Sequence, residues 1–424
     1  MTRAQVFERN GFCHDAGPTV IATPFLFEEL FALFGEKFSD YVQLVPLTHW
    51  YQFHFSDNNT FNYGETLEQT LAEIARIEPR DCDGCRALLA QSKRIFDVGF
   101  TGLSAQPFHR FMTMVRQVPR LLVANPFGTT SIYGLIHYLE REHGVHFAMG
   151  GTAAITAALR SLMEWQKIEI RVNETVASIQ IMDGAATGVV LEAQEVVAGY
   201  LVASNPDAAH LYDKMVPSSQ QAPLARLKLR AAEFLMGLFV LYFGTTRTCP
   251  DVAHHTIWLG ERYRELRADI FHHKTLSENF SLYLYRPTAT DSSFAPDCCD
   301  SFYVLCPVPN LKGDVDWFVQ GPRLVKPIFA TLDQTILPGL TESITSNFFM
   351  ASEDFAHDYL SARGAGFSVA PLFRQSAWFR FDNRAEGVKN LHLVGAGTHP
   401  GTGEPGVLYS AKVMDAMVPK AGVL

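Results

Sequence analysis

The sequence lacks the features that mark several large classes of protein. Only 19% of its 424 residues are charged, and the formal net charge of -9 gives no basic excess of the kind that nucleic-acid-binding proteins carry. No apolar run reaches the ~20 residues needed to cross a bilayer. The seven cysteines are odd in number and follow no recognisable signal peptide, which favours free thiols in a reducing compartment. We expect a globular protein without a nucleic-acid partner.

Metal-ligand patterns are also lacking. Cys82 and Cys85 form one CxxC pair, but no second pair and no spaced histidines complete a zinc site. The adjacent histidines at 254–255 and 272–273 have no matching carboxylate or thiolate spacing. We therefore expect no metal centre.

Apolar and aromatic residues are abundant. Hydrophobic residues make up 47% of the chain, and 32 residues are phenylalanine. Such an excess builds cores, and it also suits a tunnel or surface that handles a long apolar ligand. The length allows two or three domains, and because no repeat or low-complexity linker separates them, we expect the domains to be interleaved.

Local patterns predict a mixture of helices and strands. Thr23 and Pro24 form a helix start for residues 25–34, with Thr23 as the N-cap. Residues 67–98 have helical periodicity with interruptions, and the β-forming run 234–243 predicts a buried strand.

A basic amphipathic stretch stands out within this acidic sequence. Residues 106–123 interleave three arginines with phenylalanine, methionine, valine and leucine, and contain no acid. This pattern is typical of an element that lies on a membrane surface. A helix that packs on the protein's own core would have the same pattern.

The most distinctive stretch runs from Asn390 to Ser410. An apolar run meets five glycines and then a helical segment, so a strand, a glycine-rich turn and a helix N-terminus follow one another. Residues 401–406 match GxGxxG literally. The match fails as a dinucleotide fingerprint, because several residues separate it from the strand and no acidic residue follows about 20 positions later.

The stretch 390–410 resembles the C-terminal flavin-contacting motif of the bacterial phytoene desaturases, a family of carotenoid-forming flavoproteins. Further segments resemble family landmarks in the same order along nearly the whole chain. They are HDAGPTVI (14–21), NPFGTTSIY (125–133), LEREHGVHF (139–147), GGT (150–152), SNPD (204–207), LFVLYFG (238–244), RYREL (262–266), FSLYL (280–284) and QSAWFR (375–380).

The resemblance implies an α/β fold of the FAD/NAD(P)-binding, Rossmann-like kind, with the two-domain arrangement of amine oxidases. Residues 1–45, 140–215 and 385–424 would form a discontinuous FAD-binding domain. Residues 46–139 and 216–384 would form the substrate-binding and membrane-facing domain.

The resemblance also implies an activity, the FAD-dependent desaturation of phytoene towards lycopene. The substrate would be a long apolar polyene, and the cofactor FAD. The protein would be cytoplasmic and peripheral to the inner face of the bacterial cell membrane, with residues 106–123 as the contact.

Candidate site residues follow from the same resemblance. Glu265, Asp269 and Asp291 are acid/base candidates, for which the alternative is a surface charge. Turn, cap and packing roles are the alternatives for the cofactor contacts. Those contacts are Arg3, Asp15, Gly17, Gly395, Gly397, Thr398, Gly401, Gly406 and Val407.

The sequence departs from the family pattern in three places. Family members open with a βαβ unit that carries GxGxxG, whereas this chain begins at the following turn, with Met1-Thr2-Arg3 in its place. Residues 121–124 join directly two regions that further helices separate in the family. Glu404, His392 and Ala148 replace an apolar residue, an aromatic residue and a proline. The alternative function is a truncated, catalytically silent relative that retains membrane or carotenoid binding.

These departures predict FAD binding much weaker than in a relative with the complete βαβ unit, since the backbone N–H groups of that unit hold the diphosphate. The visible spectrum of the purified protein measures this. A stoichiometric flavin band would contradict the silent alternative, whereas a colourless protein that fails to convert phytoene would contradict the desaturase hypothesis.

Overall fold

Sixteen β-strands form the framework of the fold in a computed structural model, which describes residues 4–116 and 134–419. Numbered along the chain, they are β1 (Gln5–Arg9), β2 (Phe12–Ala16), β3 (Leu44–Pro46), β4 (His49–Phe55), β5 (Thr60–Gly64), β6 (His146–Ala148), β7 (Val176–Met182), β8 (Ala185–Leu191), β9 (Val196–Ala198), β10 (Val202–Ser204), β11 (Gly237–Thr245), β12 (His255–Leu259), β13 (Leu282–Tyr285), β14 (Asp300–Val308), β15 (Ile344–Met350) and β16 (Leu391–Leu393).

Helices cover the sheets and connect them. The α-helices of six or more residues with assigned bounds are Pro24–Ala32, Leu67–Ile77, Cys82–Ile95, Gly134–His143, Gly151–Trp165, Pro223–Ala231, Tyr263–Ala268, Trp317–Gln334, Ser352–Asp358 and Glu404–Asp415. None of the helices in the described part of the chain is long and apolar enough to cross a membrane.

Seven strands form the largest sheet, in the order β15-β11-β14-β13-β12-β4-β5. Its neighbouring strands run antiparallel except for β12 and β4, which are parallel. Because successive side chains of a strand point to opposite faces, β11 supplies both sides of this sheet with apolar residues. All nine residues of β11 are buried.

The two faces of the large sheet have different partners. Phe239 and Phe243 of β11 face the helix Trp317–Gln334, where Ile328 and Leu332 are fully buried. The opposite face carries tyrosines and packs against the β1–β2 hairpin and β6. One face of the large sheet is therefore covered by a helix, and the other packs against the segments that hold the smaller sheets.

The smaller sheets hold the other segments. β1 and β2 form a hairpin, β3 pairs with β6, and β7, β8 and β9 form a three-stranded antiparallel sheet. β10 and β16 are parallel neighbours, with Ser204 opposite Leu393. This pairing fixes the point where the glycine-rich motif begins.

Several local predictions are confirmed with shifted bounds. The predicted buried strand 234–243 is β11, and the predicted helix 25–34 is Pro24–Ala32. The helical stretch 67–98 is two helices, because Pro79 cannot continue the first one. Thr23 occupies the N-cap position without capping through its side chain, so that part of the prediction was wrong.

The predicted membrane element is described only in part. Residues 111–116 are helical, while residues 117–133 lie outside the described residues, together with the 121–124 junction and the 125–133 landmark. All strands of the large sheet fall within 46–139 and 216–384. The division into two domains stays a prediction.

We expect Phe239→Ala to destabilise the large-sheet unit by about 3–5 kcal/mol, because it removes a fully buried ring from the centre of the core. The shift of the denaturant midpoint measures the effect. Phe318→Ala is the matched control, since 88% of the Phe318 surface is exposed. Equal shifts for the two variants would contradict this account of the core.

Candidate active site

A cavity of about 1530 Å³ lies between the tyrosine face of the large sheet and the C-terminal motif. Residues 17–20 and 399–406 line it from two sides, and helical segments around residues 99–108 and 135–140 line it from a third. Most of these side chains are apolar. Its apolar and aromatic walls include Val20, Phe100, Leu103, Phe108, Met114, Leu135, Leu139, Phe234, Met236, Leu305 and Phe373.

The first half of the C-terminal motif packs inside the protein. Gly395 has a φ of 96°, and its N–H donates to Ser410 Oγ over 2.7 Å. A Cβ added at Gly397 would lie 2.8 Å from the backbone nitrogen of Ala208. Thr398 is fully buried. Gly395, Gly397 and Thr398 therefore fix the path of the loop, and none of the three lines the cavity.

The second half of the motif borders the cavity. Gly401 and Gly406 both line it, and Gly401 has a φ of 142°. A Cβ added at Gly406 would lie 2.5 Å from the carbonyl oxygen of Gly401, so glycine is required there for the turn to close. Val407 follows in the first turn of the helix Glu404–Asp415 and does not line the cavity.

Arg380 and Asn383 hold the loop between these halves. Arg380 Nε donates to the carbonyl oxygen of Thr398 over 2.8 Å, and Nη2 to that of Ala396 over 2.6 Å. Asn383 Nδ2 donates to Thr398 Oγ1 and to the carbonyl oxygen of His399. Both side chains are buried, which strengthens these bonds relative to water. Arg380 ends the landmark QSAWFR, but sequence reasoning assigned it no role.

His399 is a neutral donor in the cavity wall. Burial lowers its pKa to about 4, against the hydrogen bond that Nε2 makes with the carbonyl oxygen of Leu103. The neighbouring Arg380 lowers the pKa further. At neutral pH the ring therefore carries no charge.

Glu404 connects the motif with the helix Pro24–Ala32. Thr23 Oγ1 donates to Glu404 Oε1 instead of capping its own helix, and Glu404 Oε2 is buried without a partner. Burial raises the Glu404 pKa to about 7, against the hydrogen bonds from Thr23 and the backbone of Ala22. Glu404 lines the cavity at the start of the helix Glu404–Asp415.

The tyrosine face forms a hydrogen-bonded wall. Thr19 Oγ1 lies 2.9 Å from Tyr303 OH and 3.4 Å from Tyr283 OH. Tyr283 OH lies 2.7 Å from His255 Nδ1. Tyr51 completes the wall on β4. Because the hydroxyl groups of these tyrosines have hydrogen-bond partners inside the protein, the surface that they add to the cavity is mainly that of their aromatic rings.

The N-terminal candidates are placed differently from one another. Gly17 lines the cavity with a φ of 137°. Asp15 is buried behind it and accepts hydrogen bonds from Thr152 Oγ1 over 2.6 Å and Tyr285 OH over 3.1 Å. Burial raises the Asp15 pKa against these bonds. Arg3 lies outside the described residues.

None of the three predicted acid/base residues lines the cavity. Glu265 is exposed and Asp269 is half-buried on the segment 263–273. Asp291 is buried and accepts hydrogen bonds from Gly150 N and from Ser293. Although burial alone would raise its pKa, these bonds lower the pKa of Asp291.

Glu140 is a cavity acid that sequence reasoning missed. It lines the cavity with 7% of its surface exposed, and its Oε1 accepts a hydrogen bond from Tyr51 OH over 2.9 Å. Burial raises its pKa to about 7, against the Tyr51 hydrogen bond and the charge of Arg141. Its place in the landmark LEREHGVHF was the available signal, but sequence reasoning assigned it no role.

The residues present fit a flavin. Gly17 and Gly401 present backbone in positive-φ conformations to the cavity, and a Cβ added at Gly401 would meet nothing nearer than Arg380 Cζ at 3.8 Å. A flat ring can therefore lie directly against the backbone at Gly401, with apolar walls beyond it. Within the described ranges, no cluster of three or more His, Cys, Asp or Glu residues could hold a metal ion.

The fold is shared with two solved oxidoreductase structures. An oxidoreductase from Methanosarcina mazei superimposes with a TM-score of 0.62 at 14% identity, covering 98% of this chain and 91% of its own. Wild-type putrescine oxidase gives a TM-score of 0.58 at 11% identity, covering 98% and 90%. The fold class predicted from the sequence is confirmed.

The chain belongs to the phytoene desaturase family of oxidoreductases. It is 40% identical to the lycopene-forming phytoene desaturase of Pantoea ananas, over 97% of this chain and 90% of that protein. It is 36% identical to the neurosporene-forming enzyme of Rhodobacter capsulatus, over 99% and 87%. No family model matches the sequence. The family resemblance drawn from the sequence is thereby confirmed.

The lowered pKa of His399 predicts that the free energy of unfolding decreases in acid. Its folded-state pKa of about 4 is below the unfolded value of 6.5, so the unfolded state binds more protons between these values and stability falls as the pH drops through them. The loss is on the order of 3 kcal/mol, at about 1.36 kcal/mol per pKa unit.

We expect His399→Gln to lose less stability than the unmodified protein when the pH is lowered from 7 to 4. Denaturant unfolding at a series of pH values measures this. Parallel stability curves for the two proteins would show that His399 does not titrate as described.

Proposed function

We propose that the protein catalyses the FAD-dependent desaturation of phytoene towards lycopene, as part of carotenoid biosynthesis. The observation that carries this proposal is the cavity of about 1530 Å³, whose lining combines a glycine-rich backbone surface with many apolar side chains. Relatives of this chain are named as lycopene-forming and neurosporene-forming phytoene desaturases. Their names support the substrate class.

The cavity supplies what an uncharged polyene requires. Such a substrate has no group for an ion pair, so its binding depends on apolar burial, worth roughly 25 cal/mol per Å². Phe100, Phe108, Leu139 and Leu305 provide that surface within the cavity. A dry, apolar wall also excludes water from the reacting carbons.

The cofactor would lie along the Gly17 and Gly401 side of the cavity. Desaturation removes two hydrogens from adjacent carbons and forms a double bond, leaving an electron pair that no side chain can accept. Bound FAD supplies that acceptor. Of the predicted cofactor contacts, Gly17, Gly401 and Gly406 could touch it from the wall, whereas Asp15, Gly395, Gly397 and Thr398 would support the wall from behind.

Substrate would reach the cavity from a membrane surface. In the segment 106–116, Phe108 and Met114 line the cavity, while Phe111, Met112 and Val115 are 51%, 59% and 42% exposed. Apolar side chains exposed beside a cavity wall suit contact with the interior of a lipid layer. We propose a cytoplasmic protein that is peripheral to the inner face of the bacterial cell membrane.

The test presents phytoene in lipid vesicles to the purified protein with added FAD. We expect the protein to float with the vesicles and to form products that absorb visible light, because each added double bond extends the conjugated system. Pigment extraction and chromatography identify the products. Vesicle binding without conversion would support the silent alternative instead, and the absence of both binding and conversion would contradict the whole proposal.

A further inference from the structure

The carboxylates that line the cavity are candidate proton acceptors. Among the described residues, three carboxylates line it, and they are Glu140, Glu233 and Glu404. Glu233 pairs with Arg374 at an exposed position. Glu404 also lines the cavity, but its Oε1 accepts from Thr23 and its Oε2 is buried. Glu140 lines the cavity, has no ion-pair partner among the described residues, and accepts a hydrogen bond from Tyr51 at the aromatic wall.

We propose that Glu140, positioned by Tyr51, accepts the proton that leaves the polyene during desaturation. This proposal rests on the proposed function. In the desaturation, one C–H bond would break with its hydrogen leaving as a hydride, and bound FAD would be the acceptor of that electron pair. A C–H bond on the adjacent carbon breaks, its electron pair forms the new C=C bond, and its proton passes to a carboxylate oxygen of Glu140.

The surroundings of Glu140 suit this role. A general base works best when its pKa lies near the working pH, and burial brings Glu140 to about 7. The hydrogen bond from Tyr51 OH stabilises the ionised form and fixes the carboxylate against the aromatic wall. Apolar neighbours on the same helix, Leu135 and Leu139, line the cavity beside it.

The tyrosines and histidines packed around Glu140 and Tyr51 have pKa values that burial shifts away from neutral pH. Arg141 Nη1 donates to the carbonyl oxygen of Gly64 over 2.6 Å. Burial keeps the phenol pKa values far above neutrality and the imidazole pKa values below their usual range. The groups on the packed elements are Tyr51, Tyr63, His137, Arg141, His255 and Tyr283.

The same helix offers a matched control. Glu142 Oε2 accepts a hydrogen bond from Tyr138 OH over 2.8 Å, so it forms the same kind of tyrosine–carboxylate pair two residues away. This second pair is solvent-exposed and does not line the cavity. Glu142→Gln removes an identical chemical group without touching the proposed site.

We expect Glu140→Gln to lower kcat by about 100-fold or more, the usual range for a lost general base, while bound FAD and the circular dichroism spectrum are retained. In the unmodified protein, kcat should rise with pH through an apparent pKa of about 7, because the carboxylate must be ionised to accept a proton. Tyr51→Phe should move this rise to higher pH, and Glu142→Gln should leave it unchanged.

A measurement without cofactor or substrate provides an independent check. Carboxyl ¹³C NMR of the protein labelled at glutamate should contain a signal that titrates near pH 7, disappears in Glu140→Gln and shifts upward in Tyr51→Phe. A Glu140 carboxyl that titrates near its ordinary value would overturn the proposal, even if a variant failed to fold.

The outcomes separate this proposal from the proposed function. If the unmodified protein converts phytoene and Glu140→Gln does so equally well, Glu140 is not the proton acceptor and the proposed function stands. If the unmodified, FAD-loaded protein does not convert phytoene, the proposed function fails, and the proton-acceptor role fails with it.

Discussion

The buried carboxylate of Asp15 is the constraint on which the rest of the structure depends. One of its oxygens accepts from the backbone and hydroxyl of Thr152 at the start of the helix Gly151–Trp165, and the other accepts from Tyr285 on the large sheet. An ionised group without these donors would be costly to bury, so the hairpin, the helix and the sheet must be in place together. The cavity lies next to this junction, with Gly17 two residues beyond Asp15.

The site combines an apolar volume with a small number of polar groups whose states are set by burial. Burial makes His399 neutral and raises the pKa values of both Glu140 and Glu404 to about 7. The two acids nevertheless differ in their hydrogen bonds, since Glu140 accepts from Tyr51, whereas Glu404 accepts from Thr23 and has its second oxygen buried.

The sequence allowed the family, the fold class and the main strands to be predicted, because β11 and the C-terminal motif have patterns that depend on local sequence alone. The acid/base residues could not be predicted in the same way. Glu265, Asp269 and Asp291 are the acids one would choose by type, yet none lines the cavity, whereas Glu140 is brought to Tyr51 across 89 residues of chain. Likewise, Thr23 precedes a proline as an N-cap residue often does, but its hydroxyl donates to Glu404 instead of capping the helix. No local sequence pattern indicates this contact. Long-range pairings of this kind depend on the tertiary fold.

The contact between Thr23 and Glu404 also sets an order of events during synthesis of the chain. The two residues are 381 positions apart, and Glu404 lines the cavity. At ~5–20 residues per second, a ribosome needs on the order of tens of seconds to make the intervening chain. The large sheet can assemble during that time, but residues 399–406 cannot line the cavity beside its tyrosine face until they have emerged. The cavity is therefore completed only after residues 399–406 have been made, and until then its apolar walls lack that cover.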